Sequence, residues 1–346
     1  ELPVVDYAIK VEGVSRYDIS YLIYELVNEE RVAAGLPVLQ YDQDLLEIAA
    51  LRAAECSVFY SSGHLRPTGE SCFTAGEKMY GENIAYIMST GMEYYSAQEL
   101  AEWVMENWMN STGHRANILR DSFTTIGVGA FLVNDTIYFV QNFGRDAEGV
   151  AITTPSNAVT ENFTFLANEE YTKVYMADEL ELEVGEQGKL VLTVVQSQYS
   201  NLQTEVNADM YVWSSSNDAC VTVNEQGVIK VVGSGSATIT ATNTYNNAIK
   251  LQCIITATGE ATPDAPETDE GNAGENDAET DKDDTTGGGD GSGDNSGEGS
   301  DTVMPSDSAI YNGVDYAPVY DASYYAANHP DVAAAFDGKA DLMLMH

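Results

Sequence analysis

The stretch Ile126-Gly127-Val128-Gly129-Ala130-Phe131-Leu132-Val133-Asn134-Asp135-Thr136-Ile137-Tyr138-Phe139-Val140-Gln141 decides how the first half of the chain folds. Ile126, Val128, Ala130 and Leu132 alternate with their neighbours, Asn134-Asp135 carries turn chemistry, and Ile137, Phe139 and Gln141 resume the alternation. A period of two puts one set of side chains on one face, so the stretch predicts a β-hairpin. Gly127 and Gly129 inside the first strand predict close approach of another backbone rather than chemistry.

Outward from the hairpin the period changes to that of helices. Ser96 and Glu99 form a capping-box pattern ahead of Leu100, Trp103, Val104 and Trp108, which predicts a helix to about Asn110 with both tryptophans in the core. Leu45, Leu46, Ala49, Ala50, Ala53 and Cys56 make one apolar stripe on a helix starting at Asp42, and its small residues imply close packing. Ile19, Leu22, Ile23, Leu26 and Val27 predict another helix, with Asp18 as N-cap and Gly35 at its end. Helices and strands so mixed predict a layered α/β or α+β domain over residues 1–150.

Downstream, residues 151–171 read as a connector. Residues 172–258 hold seven short strand patterns, from Leu180–Val184 to Leu251–Thr256, separated by Gly, Asn and Ser. That rhythm predicts a β-sandwich. Residues 259–308 carry sixteen acidic residues against the single Lys282, with dense Gly and Ser, and are expected to be a disordered acidic spacer. Residues 309–346 form a short aromatic tail, too small to be a stable domain alone.

The 346 residues hold 55 acidic and 15 basic side chains, a formal net charge of −40. Such a charge repels phosphate backbones and anionic headgroups at long range, so nucleic acid and acidic membranes are excluded as expected partners. No apolar run is long enough to span a membrane. The opening on Glu1 rather than Met suggests a processed product. Cys56, Cys72, Cys220 and Cys253 lack C-x-x-C spacing. Two local disulfides fit this distribution, Cys220 with Cys253 as expected for an exported chain and by analogy Cys56 with Cys72, and so do four buried thiols.

Several phrases then occur together in order. They are Asn28-Glu-Glu-Arg31 with Gly35-Leu-Pro37, Gly63-His-Leu-Arg-Pro67, Gly81-Glu-Asn-Ile-Ala85, Trp108-Met-Asn-Ser111, Gly113-His-Arg-Ala-Asn-Ile-Leu119, Ile126-Gly-Val-Gly129 and Val140-Gln-Asn-Phe-Gly144. This series resembles bacterial CAP (SCP-like) domains, the fold of cysteine-rich secretory proteins. The resemblance implies an α+β three-layer α-β-α sandwich. It also implies a cleft lined by His64, Glu82 and His114, with Ser111 at the place where many relatives carry a second glutamate and Glu106, three residues after Trp103, as the alternative. Two imidazoles and a carboxylate are the ligand set of a zinc-type site, so Zn or another divalent metal is the candidate cofactor, held by His64, His114 and Glu82. Arg115 and Asn117 are expected to lock the loop after His114 by hydrogen bonds to backbone carbonyls.

Trp213-Ser-Ser-Ser-Asn217, Gly227-Val-Ile229, Val232-Gly-Ser-Gly235 and Ala237-Thr-Ile-Thr-Ala241 resemble bacterial Ig-like group 2 domains. The tail around Tyr320-Asp-Ala-Ser-Tyr-Tyr325 is similar to repeats near the C-termini of secreted Firmicutes proteins and reads as a truncated copy. The expectation is a secreted or cell-surface bacterial protein, associated with a cell wall or host surface, whose cleft is a non-enzymatic module for a metal, small-molecule, lipid or peptide ligand. The alternatives are a metal-dependent hydrolase using the same cleft and a structural protein with a vestigial one.

Overall fold

In the computed structural model the chain enters on a strand that sequence reading had missed. The structure describes residues 6–88, 95–196, 202–259, 310–311 and 314–315. The described residues up to 259 belong to one compact unit, and the strand pair Ile310–Tyr311 with Val314–Asp315 belongs to another. The readings of residues 260–309 as a spacer and of the tail beyond 315 as a repeat lie outside the described residues.

The first unit runs β1 (Asp6–Arg16), α1 (Tyr17–Ala33), β2 (Gln40–Tyr41), α2 (Gln43–Val58), β3 (Gly81–Met88), α3 (Ala97–Asn110), α4 (Thr112–Ile118), β4 (Thr125–Val133), β5 (Thr136–Gly144) and β6 (Ala158–Asn168). The helix signals act locally as chemistry dictates. Asp42 caps α2 by accepting from Leu45 N, and Ser96 with Glu99 closes a complete capping box on α3. Asp18, expected as a cap, lies inside the first turn of α1 and pairs instead with Arg16, which occupies the cap position without a side-chain bond. Gly35 adopts φ +74° just past the helix, the left-handed turn that ends it.

The strands assemble in the order β3-β5-β4-β1-β6, with β2 added beside β4. The β4–β5 hairpin turns at Asn134, itself at φ +51°. Residues 151–171, read as a connector, contain β6, which pairs with β1 over its whole length from Asp6↔Asn168 to Arg16↔Ala158.

One face of this α+β sheet packs α1 and α3 through Ile19, Ile23, Val27, Leu100, Val104 and Trp108. The other packs α2 on Phe131, Val140 and Ile84. A Cβ on Gly127 would come within 2.0 Å of the Leu45 carbonyl carbon, and one on Gly129 within 2.2 Å of the Ala49 oxygen. These glycines therefore set how closely α2 can seat.

Beyond β6 the chain is strand-rich. It forms β7 (Val174–Tyr175), β8 (Glu179–Glu183), β9 (Gln187–Lys189), β10 (Thr193–Val195), β11 (Gln203–Glu205), β12 (Tyr211–Ser215), β13 (Val221–Val223), β14 (Val228–Val231), β15 (Gly235–Asn243) and β16 (Lys250–Thr258). These make small sheets ordered β11-β10-β7, β12-β15-β16-β8 and β13-β14-β9. Val221, Ile229 and Val231 meet Ile239, Cys253 and Ile255 in one apolar cluster. The expected Cys220–Cys253 bridge is not formed: all four cysteines are free and buried, Cys220 and Cys253 filling this cluster as small apolar side chains.

The α2 face of the first sheet is shared with this region. Its core continues from Tyr7, Ile9, Ala53 and Phe131 into Val194, Val206, Tyr211 and Ile249. At the end of α2, Gln196 donates to the carbonyls of Cys56 and Ser57, and Thr204 donates to that of Ser57. Those carbonyls would otherwise be buried without partners.

Candidate functional site

Glu82 and Asn83 follow Gly81 at the start of β3, and as neighbours on a strand they point to opposite faces of the sheet. Each organises a different network.

On the α2 face, Glu82 is buried and both its oxygens are engaged. Arg52, reaching from α2, donates Nε to Oε2 at 2.9 Å and Nη2 to Oε1 at 3.1 Å, while His64 Nδ1 lies 2.9 Å from Oε1. Arg52 also donates Nη1 to Glu55 at 2.7 Å, and Arg66 binds Glu55 through Nε at 3.0 Å. The Arg52, Glu55 and Glu82 side chains are at most 1% exposed. Two guanidinium groups and two carboxylates cancel, which is how four charges are held in one largely buried place. Burial pushes the Glu82 carboxyl up, but hydrogen bonds from His64 and Arg52 outweigh it and hold the group below the ordinary value of 4.5.

His64 sits in the left-handed region at φ 54°, a rare conformation for a residue with a Cβ. Its amide donates to Ser61 O and its carbonyl accepts from Cys72 N, so both backbone groups fix it there. With Nδ1 turned to an ionised carboxylate, the neutral ring carries its proton on Nδ1 and leaves Nε2 as an acceptor. The side chain is one-third exposed, the one member of the set that solvent reaches to that extent.

Cys72 completes the cluster. Donor atoms of His64, Cys72 and Glu82 lie within 4.8 Å of one another, near enough to share a metal ion. The chemistry of the set opposes one. Glu82 is already neutralised by a bidentate guanidinium, and burial pushes the Cys72 thiol up to about 12, so it stays protonated rather than becoming the thiolate a metal needs. An ion here would have to displace Arg52 and strip a proton from Cys72.

On the other face, Asn83 donates to Gln141 Oε1 at 2.9 Å and to the His114 carbonyl at 3.1 Å. Asn117 in turn donates to Asn83 Oδ1 at 2.9 Å and to the Glu82 carbonyl at 3.3 Å. Asn117 thus ties α4 to β3 through a carbonyl, as its motif suggested. Among the described residues Arg115 makes no such bond, and it is exposed.

The five sequence candidates therefore separate. The structure brings His64 and Glu82 into contact. His114 is held to this place through its backbone, and its ring is not in the donor cluster. Ser111 joins α3 to α4 without a side-chain cap bond, and Glu106 lies on the exposed side of α3. Sequence reading missed Arg52 and Cys72. The signal for Arg52 was a charged residue between Ala49, Ala53 and Cys56 on an apolar stripe; that for Cys72 was its place, with Cys56, flanking His64 in the sequence.

Comparison with known proteins adds the family. Residues 24–143 match the family model of the cysteine-rich secretory protein family, CAP. The uncharacterized protein YkwD of Bacillus subtilis (strain 168) is 35% identical over 123 residues, 36% of this chain and 46% of that protein. The uncharacterized membrane protein YlbC of the same strain is 31% identical over 127 residues, 35% of this chain and 33% of that protein. This chain thus spans less than half the length of either relative. Among solved structures, an extracellular protein containing a SCP domain from Bacillus anthracis str. Ames is 26% identical, covering 37% of this chain and 40% of that one with a TM-score of 0.29. Phrase by phrase, the motifs of residues 24–143 supply β3 and the β4–β5 hairpin of the sheet, the His64–Glu82 contact and the Asn83 network, and this segment is a CAP domain of the cysteine-rich secretory protein family.

Proposed function

We propose that the chain is an extracellular binding protein whose His64 cleft holds an organic ligand without transforming it. The engagement of both Glu82 oxygens carries this reading. A general base needs a free oxygen and a proton affinity near neutrality, and Glu82 has neither. What remains for a ligand is His64 Nε2, an acceptor on an anchored ring, suited to an amide or hydroxyl donor of a peptide or the polar end of a lipid. Extracellular placement is part of this proposal, supported by the match of residues 24–143 to the cysteine-rich secretory protein family. Residues 172–258 would form an Ig-like module that also covers the α2 face, a reading supported by their paired small sheets and by the shared apolar cluster.

The test uses the full chain. A peptide and fragment library screened by NMR should give hits that shift the His64 ring signals and vanish in His64→Ala, with no peptide cleavage in the presence or absence of zinc. Zinc-dependent cleavage lost in His64→Ala would replace this reading with a hydrolase. Saturable zinc binding lost in both His64→Ala and Cys72→Ser would replace it with a metal site, the reading that the proximity of His64, Cys72 and Glu82 favours.

A further inference from the structure

The chain has seven arginines, all between residues 16 and 145. Four have evident work. Arg16 pairs with Asp18, Arg52 and Arg66 with buried glutamates, and Arg31 with backbone carbonyls. Arg115, Arg120 and Arg145 are exposed, and among the described residues none of them has a carboxylate within 4.0 Å. In a chain of net charge −40 that is an unexpected economy of partners.

Two of the three share one platform. The Arg120 guanidinium lies 5.2 Å from the centroid of the Phe123 ring, and that of Arg145 lies 5.7 Å from it and 4.8 Å from the Tyr80 ring. Phe143 stacks on Phe123 at 5.1 Å, and both guanidinium groups lie within 5.7 Å of the centroid of that same Phe123 ring. Phe123 is 1% exposed and Tyr80 is half exposed, which makes a fixed floor with an open aromatic wall.

The platform is rigidly built. Arg31, wholly buried, donates to the carbonyls of Pro37, Ile118, Arg120 and Phe123, pinning the turn that carries Arg120 and Phe123. Among the described residues, the neighbouring carboxylates form no ion pair with Arg120 or Arg145. Asp146 lies 3.6 Å from Lys78, and Asp121 acts on Arg31. Stacking on aromatic faces orients a guanidinium and leaves its N–H edge free for an oxyanion. Two like charges gathered on one ring repel each other until an anion joins them.

We propose that Arg120 and Arg145, on the Phe123–Tyr80 platform, form a binding site for a phosphate group whose carrier packs on Tyr80. The site uses neither His64 nor Glu82. Two forks favour phosphate over carboxylate, because a tetrahedral phosphate offers oxygens to both forks while one carboxylate satisfies one. The acidic surface elsewhere does not forbid it, since at physiological salt charges beyond roughly 8 Å are largely screened while contacting pairs are not.

Calorimetry of the full chain with sodium tripolyphosphate and with inorganic phosphate, at about 0.15 M salt, tests the site. Saturable tripolyphosphate binding is expected, weakened roughly tenfold or more in Arg120→Gln and in Arg145→Gln and lost in the double variant. A double Lys variant, which keeps the charges without the forks, should bind between the parent and the double Gln variant, and it serves as the folded comparison if the Gln variant loses its thermal transition. Absence of saturable binding in the parent, parent-like binding in the double Gln variant, or citrate binding as tightly as tripolyphosphate would overturn the proposal.

Discussion

The two faces of the sheet at the start of β3 solve the same problem with different chemistry. On the α2 face Glu82 is held by ions, Arg52 with Glu55 and Arg66 behind it. On the opposite face Asn83 is held by neutral amides and carbonyls, Gln141, Asn117 and the His114 backbone. The faces differ also in what covers them. The α1 and α3 side is closed by residues no later than Phe143, whereas the α2 side shares its apolar cluster with residues as late as Ile249. The ionic face should therefore be the more fragile, since losing one partner strands a buried charge.

The largest expected effect is truncation. A chain ending at Gly149 lacks β6 and the cover supplied by Val194, Val206 and Ile249, so it should show no cooperative thermal transition, while a chain ending at Gly259 should melt like the full protein. A sharp transition in the shorter chain would show that the α2 face needs no shared cover.

Next comes Glu82→Gln, which leaves the Arg52 cation buried with half its partners and should cost about 3–5 kcal/mol in urea denaturation. It should also change the acid limb. Because the folded-state affinity of Glu82 for a proton is lowered, its contribution is complete above the ordinary value of 4.5 and is lost as pH falls through and below it. The parent should thus lose stability on acidification more steeply than Glu82→Gln. Parallel stability curves would mean that Arg52 does not stabilise the ionised form.

Asn83→Ala should cost less, about 1–3 kcal/mol, the penalty for unpartnered neutral groups around Gln141 and Asn117. If it proves the more damaging of the two, the contrast between ionic and neutral faces fails. The smallest effect belongs to Glu106→Gln, on the exposed side of α3, where no change in the denaturation midpoint is expected.

What could be read from sequence follows the range of the forces. Caps, turns and the glycine seats of α2 are local or periodic, and Asp42, Ser96–Glu99, Gly127 and Gly129 announced them. The β1–β6 pair could not be read that way, because its partners lie some 140 to 160 residues apart. β6 is also an edge strand whose Glu161, Asn162 and Thr164 made it resemble a polar connector. In the site, His64 and Glu82 stood out through their motif phrases. Arg52 was concealed by the distance between α2 and β3 in the chain, and the separation of His114 from the donor cluster depends on which face each residue of β3 presents.

The shared cover of the α2 face has a consequence in time. Synthesis delivers the CAP segment by residue 143, yet the cluster that seats α2 waits for Ile249. At roughly 5–20 residues per second that is an interval on the order of 5–20 s in which Tyr7, Ile9 and Phe131 lack their final neighbours. A nascent chain in that interval has a finished hairpin and a capped α3 but an uncovered α2 face. Slow translation through the strand-rich region would lengthen the exposure, and a chaperone that recognises apolar strands would meet its substrate there.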